Sequence, residues 1–210
     1  MVTRYQILER LSTFIPDDVL VVSCIGNTSG FWSQFRQSGA DLFHVTMGMC
    51  TPAAHGLALA LPNRKVVALD GDGNLLLNLG SLGTLGNESP PNLAIVVFNN
   101  GNYLGSHKKR PGMPTATAGK MDLEAVARAC GIASASTVQD VDDFETRMKE
   151  ALGNDGPHLI TANVEAIDDG APPKKKRMLD PRENKYRFAH YIEETEGVDI
   201  LGGGLGKFES

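Results

Sequence analysis

Apolar residues fall along the chain in two alternating patterns. Val66-Val67-Ala68-Leu69 and Leu93-Ala94-Ile95-Val96-Val97-Phe98 are short, β-branched runs, apolar at every position. Such runs suit strands covered on both faces of a parallel sheet. Residues 19–23, 41–45, 133–138 and 157–164 complete six candidate strands. Between them lie segments of helical spacing: 5–14, with Ile7, Leu8, Leu11 and Phe14; a helix opened by Phe31, Trp32 and Phe35; 52–61; 121–129; and 141–152. The alternation predicts an α/β fold, a doubly wound, mainly parallel six-stranded sheet with helices on both faces.

The two most apolar runs end in polar, oxygen-bearing loops, Asp70-Gly71-Asp72-Gly73-Asn74 and Asn99-Asn100-Gly101-Asn102. Ligands of such sheets bind beyond the carboxyl ends of the strands. About two dozen residues separate the loops, enough for one crossover helix. The glycines flanking Asp72 let backbone N–H groups approach an anion, and aspartate and asparagine oxygens suit Mg²⁺, which shares its coordination with phosphates. The pattern predicts a metal-bridged phosphate or diphosphate site. Taken alone, Gly-Asp-Gly also reads as an ordinary strand-to-helix turn.

The spacing is more specific than either loop. Gly71-Asp72-Gly73, 25 intervening residues and then Asn99-Asn100 resemble the signature of thiamine diphosphate enzymes. In that family an aspartate, an asparagine and a main-chain carbonyl hold Mg²⁺ on the cofactor's diphosphate. The resemblance implies the Asp72 carboxylate, the Asn100 side chain and the Asn102 carbonyl as metal ligands. It implies cofactor contacts at Gly71, Asp72, Gly73, Asn74, Asn100, Asn102, Tyr103 and Leu104.

Thr46-Met47-Gly48-Met49 resembles the family's second cofactor loop, Gly-x-apolar-Gly, and implies contacts from Val45, Thr46, Met47, Gly48 and Met49. Met47 takes the place of the apolar wedge that bends the cofactor into its V shape; as a lone apolar loop residue it would read as core. Val45 stands where the family has its first glycine, a position that contacts the pyrimidine through its main-chain carbonyl.

Other candidates carry two readings each. His44 is a possible acid, base or substrate contact, since imidazole titrates near neutrality, or a structural residue. His55, in an apolar helix, reads as a satisfied core histidine. Residues 26–30 either line the cofactor cleft or cap the next helix through Thr28 or Ser29. The basic stretch 102–112 is either a lid with His107, Lys108, Lys109 and Arg110 as candidate substrate contacts, or a solvated loop.

Composition narrows the classes. A formal net charge of −5 argues against nucleic acid as partner. No apolar run reaches the roughly 18 residues of a membrane helix, and residues 1–18 lack a signal-peptide core, so a cytoplasmic location is expected. Cys24, Cys50 and Cys130 have no CxxC spacing and read as structural thiols, with Cys50 the one to watch because it follows the second loop. With 210 residues, a cofactor domain over 1–167 leaves a tail, 168–210, containing a linker, a basic run at 174–177 and a short helix at 181–194. The tail is expected to wrap a neighbouring subunit or to extend flexibly.

In thiamine diphosphate enzymes the cofactor lies between two α/β domains, and the second domain gives a glutamate to the pyrimidine. The resemblance covers nearly all of 1–165 and corresponds to the diphosphate domain alone. It therefore implies an α subunit with the pyrimidine-binding domain and catalytic glutamate, in a hetero-oligomer such as α2β2 or larger. Residues 46–49, 69–76 and Pro114-Thr115-Ala116-Thr117 most resemble the sulfopyruvate decarboxylase β subunit and phosphonopyruvate decarboxylase group. The implied reaction is nonoxidative decarboxylation of a small 2-oxo acid to an aldehyde. A carboligase resembling acetolactate synthase, a 2-oxoacid oxidoreductase subunit and a noncatalytic scaffold subunit are the alternatives.

Overall fold

The computed structural model describes residues 2–103, 112–166 and 180–202. Within them, six strands form one sheet: β1 (Leu20–Cys24), β2 (Asp41–Val45), β3 (Val66–Gly71), β4 (Leu93–Asn99), β5 (Ser134–Val138) and β6 (His158–Asn163). Their order is β2-β1-β3-β4-β6-β5, and every neighbouring pair is parallel. The helices are α1 (Arg4–Ser12), α2 (Asn27–Phe35), α3 (Cys50–Ala60), α4 (Asp72–Leu76), α5 (Ser81–Glu88), α6 (Leu123–Ala129), α7 (Val141–Gly153) and α8 (Pro181–Glu196).

Alternate residues of each strand enter opposite cores, because strand side chains point to opposite faces with a period of two. Val21, Val67, Leu69, Val96 and Phe98 pack with α1, α2 and α7 residues such as Leu8, Trp32 and Phe144. Leu20, Val22, Ala68, Ile95 and Val97 pack with α3, α5, α6 and α8 through Ala54, Leu85, Ala127 and Phe188. Both faces are therefore covered, which is why these strands read as apolar throughout. The doubly wound arrangement expected from the pattern is the one found, with all strand pairs parallel.

From β1 the chain crosses to β2 on one side, and from β3 to β4 on the other. The sheet order reverses between β1 and β3, which opens a crevice beyond their carboxyl ends.

Three local expectations change. The β3–β4 crossover contains α4 and α5 where one helix was expected. Residues 27–30 are the first turn of α2, and neither Thr28 nor Ser29 caps it: the N-cap is Gly26, without a side-chain cap. Ser29 Oγ instead donates to the Cys24 carbonyl at 2.8 Å, tying α2 to β1. His55 is buried, but its Nε2 has no hydrogen-bond partner among the described residues, and burial pushes the imidazole below its usual pKa.

In the tail, α8 packs on this chain's own β2 edge. Asp180 caps it and Pro181 opens its first turn, while Phe188 and Ile192 enter the core. Asn184 is fully buried: its Oδ1 accepts from the Phe43 N–H at 2.7 Å and its Nδ2 donates to the Asp41 carbonyl at 2.8 Å. One side chain thus satisfies two groups of an edge strand that no neighbouring strand pairs. Asn184→Ala would leave both buried and unpaired, at about 1–3 kcal/mol for each unsatisfied group. Urea unfolding should show a fall in stability of about that size at unchanged m-value.

Candidate functional site

A cleft of about 300 Å³ opens at the carboxyl ends of β1, β3 and β4. It brings together Met47, Gly71, Asp72, Gly73, Asn74, Asn100, Asn102 and Tyr103, all singled out from sequence. His44, Val45, Thr46, Gly48 and Met49 do not line it, although they belong to the segment that carries Met47. Leu104 and His107 lie outside the described residues, as do Lys108, Lys109 and Arg110. Ile25, Gly26, Asn27 and Thr28 also line the cleft, so residues 26–28 take the first of their two readings. Arg4, at the start of α1, lines it as well, with its guanidinium 5.6 Å from the centre of the Phe98 ring. Nothing in the motif spacing pointed to Arg4, which reaches the cleft only because α1 packs across the sheet.

The register from Val66↔Leu93 to Gly71↔Phe98 makes β3 and β4 end side by side. Asp72 follows as the first residue of α4 and is 2% exposed. Its Oδ2 accepts from Thr115 Oγ1 at 2.8 Å and Thr117 Oγ1 at 2.7 Å, while Oδ1 receives no hydrogen bond from the described residues. The loop after β4 is fixed to the same segment: Thr115 N–H donates to the Gly101 carbonyl at 3.0 Å and Tyr103 N–H to the Met113 carbonyl at 2.8 Å. Asn102 N–H donates to Asn100 Oδ1 at 3.2 Å, which folds the loop back on itself. A Cβ on Gly73 would lie 2.6 Å from the Tyr103 ring, so this contact requires glycine.

Asp72, Asn100 and Asn102 line one cleft, and their carboxylate, amide and main-chain carbonyl oxygens are hard donors. Among the described residues, no group of three His, Cys, Asp or Glu side chains is placed to hold a metal ion. One carboxylate, one amide and one carbonyl fit a hard divalent cation that takes its remaining ligands from phosphate and water.

A second polar network fixes the Met47 loop. Asp70 is 1% exposed and accepts from Thr51 Oγ1 at 2.7 Å, Thr51 N–H at 3.2 Å, Gly71 N–H at 2.8 Å and Asn74 Nδ2. Burial still pushes its carboxyl above the usual carboxylate range, because desolvation of the charged form outweighs these bonds. Asn74 Oδ1 accepts from Gly48 N–H at 2.9 Å, and Asn78 Nδ2 donates to the Gly48 carbonyl at 3.1 Å. Gly48, with φ of 79°, is thereby clamped between Met47 and Met49, each 46% exposed. Met47 is not a core residue. His44 also has a positive φ, 57°, with its N–H on Ser29 Oγ at 2.8 Å; such a backbone is uncommon outside glycine.

Residues 25–162 match the family described as thiamine pyrophosphate enzyme, C-terminal TPP binding domain. The chain belongs to the thiamine pyrophosphate enzyme family. It is 32% identical over 193 residues to the sulfopyruvate decarboxylase subunit beta of Methanococcus maripaludis, covering 91% of this chain and 98% of that protein. It is 34% identical to the phosphonopyruvate decarboxylase of Streptomyces hygroscopicus over 203 residues, 96% of this chain but 49% of that protein. Among solved structures, a thiamine diphosphate-dependent 4-hydroxybenzoylformate decarboxylase from Rhodococcus jostii superposes with a TM-score of 0.65 at 26% identity, over 80% of this chain and 33% of that one. The chain thus spans nearly all of the first relative, about half of the second and a third of the solved enzyme.

Cys50, beside the cofactor loop, is fully buried, with its thiol 3.4 Å from the Val22 carbonyl and 3.6 Å from that of Leu69. Burial pushes its pKa well above the usual value and that of Cys24 to about 12. Neither supplies a thiolate near neutrality. An Ellman titration of the native chain at pH 8 should therefore report Cys130, the partly exposed one, with Cys24 and Cys50 reacting only after denaturation. Asn74→Ala leaves Asp70 Oδ1 and Gly48 N–H each short of a partner. Calorimetry should show thiamine diphosphate binding about tenfold weaker, roughly the effect of losing one outer-shell partner, with Asn100 and Asp72 untouched.

Proposed function

We propose that this chain is the β subunit of a thiamine diphosphate- and Mg²⁺-dependent decarboxylase that converts a small 2-oxo acid of the sulfopyruvate or phosphonopyruvate type to an aldehyde and CO₂. The convergence of Asp72, Asn100, Asn102 and Met47 on one cleft carries this reading. Asp72, Asn100 and the Asn102 carbonyl would hold a divalent metal ion that accompanies the cofactor's diphosphate. The first turn of α2, with no side-chain cap at Gly26, presents backbone N–H groups and the positive end of a helix dipole to the same anion. Gly71, Gly73 and Tyr103 let backbone and ring approach the cofactor closely, and Asn74 holds the loop that carries Met47.

Met47 would pack against the bound cofactor, with Val45, Thr46, Gly48 and Met49 as its backbone frame. His44 is this chain's candidate acid–base or substrate contact, and His107 a further one. Bound thiamine diphosphate supplies the electron sink that C–C cleavage next to a carbonyl requires. The relatives named as β subunits support an α partner, which would bring the pyrimidine-binding domain and the catalytic glutamate into a hetero-oligomer. Among the described residues no helix is long and apolar enough to cross a membrane, and a cytoplasmic location is part of this proposal.

The test is copurification of the complex from its source, followed by a panel of 2-oxo acids with thiamine diphosphate and Mg²⁺. Aldehyde and CO₂ in equimolar amounts support the proposal; an acyloin product would place the chain with the carboligases. Asp72→Ala in the reconstituted complex should abolish measurable turnover and weaken metal-dependent cofactor binding by about 100-fold or more, beyond the 10- to 100-fold typical of outer partners. Full activity of that variant would refute the site, and full activity of the isolated chain would refute the split subunits.

A further inference from the structure

We propose that Thr115 and Thr117 are positioning residues that restrict Asp72 to coordination through a single oxygen and so favour Mg²⁺ or Mn²⁺ over Ca²⁺. The inference rests on Asp72 being a ligand of the diphosphate-bound metal. Both hydroxyls lie on the same carboxylate oxygen, Oδ2, at 2.8 and 2.7 Å. The two hydroxyl oxygens are also 2.8 Å from each other. Each hydroxyl has one proton, so the three contacts share two: either both hydroxyls donate to Oδ2, or one donates to the other, which donates to Oδ2. The backbone fixes the position of this cluster: Thr115 is 5% exposed, its N–H is held by the Gly101 carbonyl at 3.0 Å, and its carbonyl accepts from Ala118 N–H at 3.1 Å.

Oδ2 is therefore engaged by the hydroxyl pair, and Oδ1, which receives no hydrogen bond among the described residues, is the oxygen left for a cation. Mg²⁺ needs near-octahedral, one-oxygen contacts at about 2.0–2.1 Å, whereas Ca²⁺ accepts six to eight ligands and readily takes carboxylates through both oxygens. Blocking Oδ2 removes the second mode. Because Thr115 also holds Gly101, the same residue fixes the distance between the carboxylate and the loop of Asn100 and Asn102.

The experiment is isothermal titration of Mg²⁺ and, separately, Ca²⁺ into the reconstituted complex with thiamine diphosphate present. It compares wild type, Thr117→Val, Thr115→Ala and Thr115→Ser, with thermal unfolding of each as the fold check. Thr117→Val and Thr115→Ala should each weaken Mg²⁺ about tenfold, as expected for an outer partner, and leave Ca²⁺ within about twofold, narrowing the Mg²⁺:Ca²⁺ ratio. Thr115→Ser keeps the donor and should keep the ratio. A ratio unchanged in folded Thr117→Val, or equal losses for both ions, overturns the proposal. If wild type itself binds neither ion with thiamine diphosphate, the reading of Asp72 as a ligand falls with it, a result distinct from altered discrimination alone.

Discussion

The parallel pairing of β3 with β4 is the constraint on which the rest of the site depends. Its register runs without a break from Val66↔Leu93 to Gly71↔Phe98, so the residues that follow, Asp72 and Asn100, emerge together at one edge. A one-residue slip would turn every side chain of one strand to the other face. That slip is resisted because Val67, Leu69, Val96 and Phe98 belong to one core and Val66, Ala68, Ile95 and Val97 to the other. Burial on both faces thus sets the geometry of the polar loops.

Two buried carboxylates at this edge have different surroundings and different consequences. Asp70 has hydrogen bonds on both oxygens, and its partners Thr51 and Asn74 join α3, α4 and the Met47 loop into one rigid unit. Among the described residues Asp72, two residues on, is bonded on one oxygen only. Inside a low-dielectric site a fully bonded carboxylate organises structure, while a half-bonded one retains lone pairs for a ligand. Two carboxylates two residues apart, one near the end of β3 and one opening α4, therefore differ in how fully they are bonded.

The second brace is the segment from Met113 to Thr117. It returns to the cleft after the β4 loop, pairs with it through Asn102 and Pro114, and reaches Asp72 through two hydroxyls. A site built from loops at strand ends is only as rigid as such supports. Tyr103 against Gly73 adds a packing contact that a side chain at residue 73 would destroy.

The amino-acid sequence by itself determined the α/β class, the strands, the Gly-Asp-Gly and Asn-Asn loops and the presence of Met47 beside them, because strand periodicity and motif spacing are local properties of the chain. It did not disclose Arg4, the donors on Asp72 or the clamp on Gly48, since these contacts join residues 26 to 45 positions apart or lie on elements with no motif. Nor did it disclose that α8 belongs to the core: its Phe188 and Ile192 look like any short amphipathic helix until the open edge of β2 is present to receive Asn184. Which side of Asp72 is engaged, and which is left for a ligand, was decided by tertiary structure alone, because it depends on where a distant segment places two hydroxyl groups.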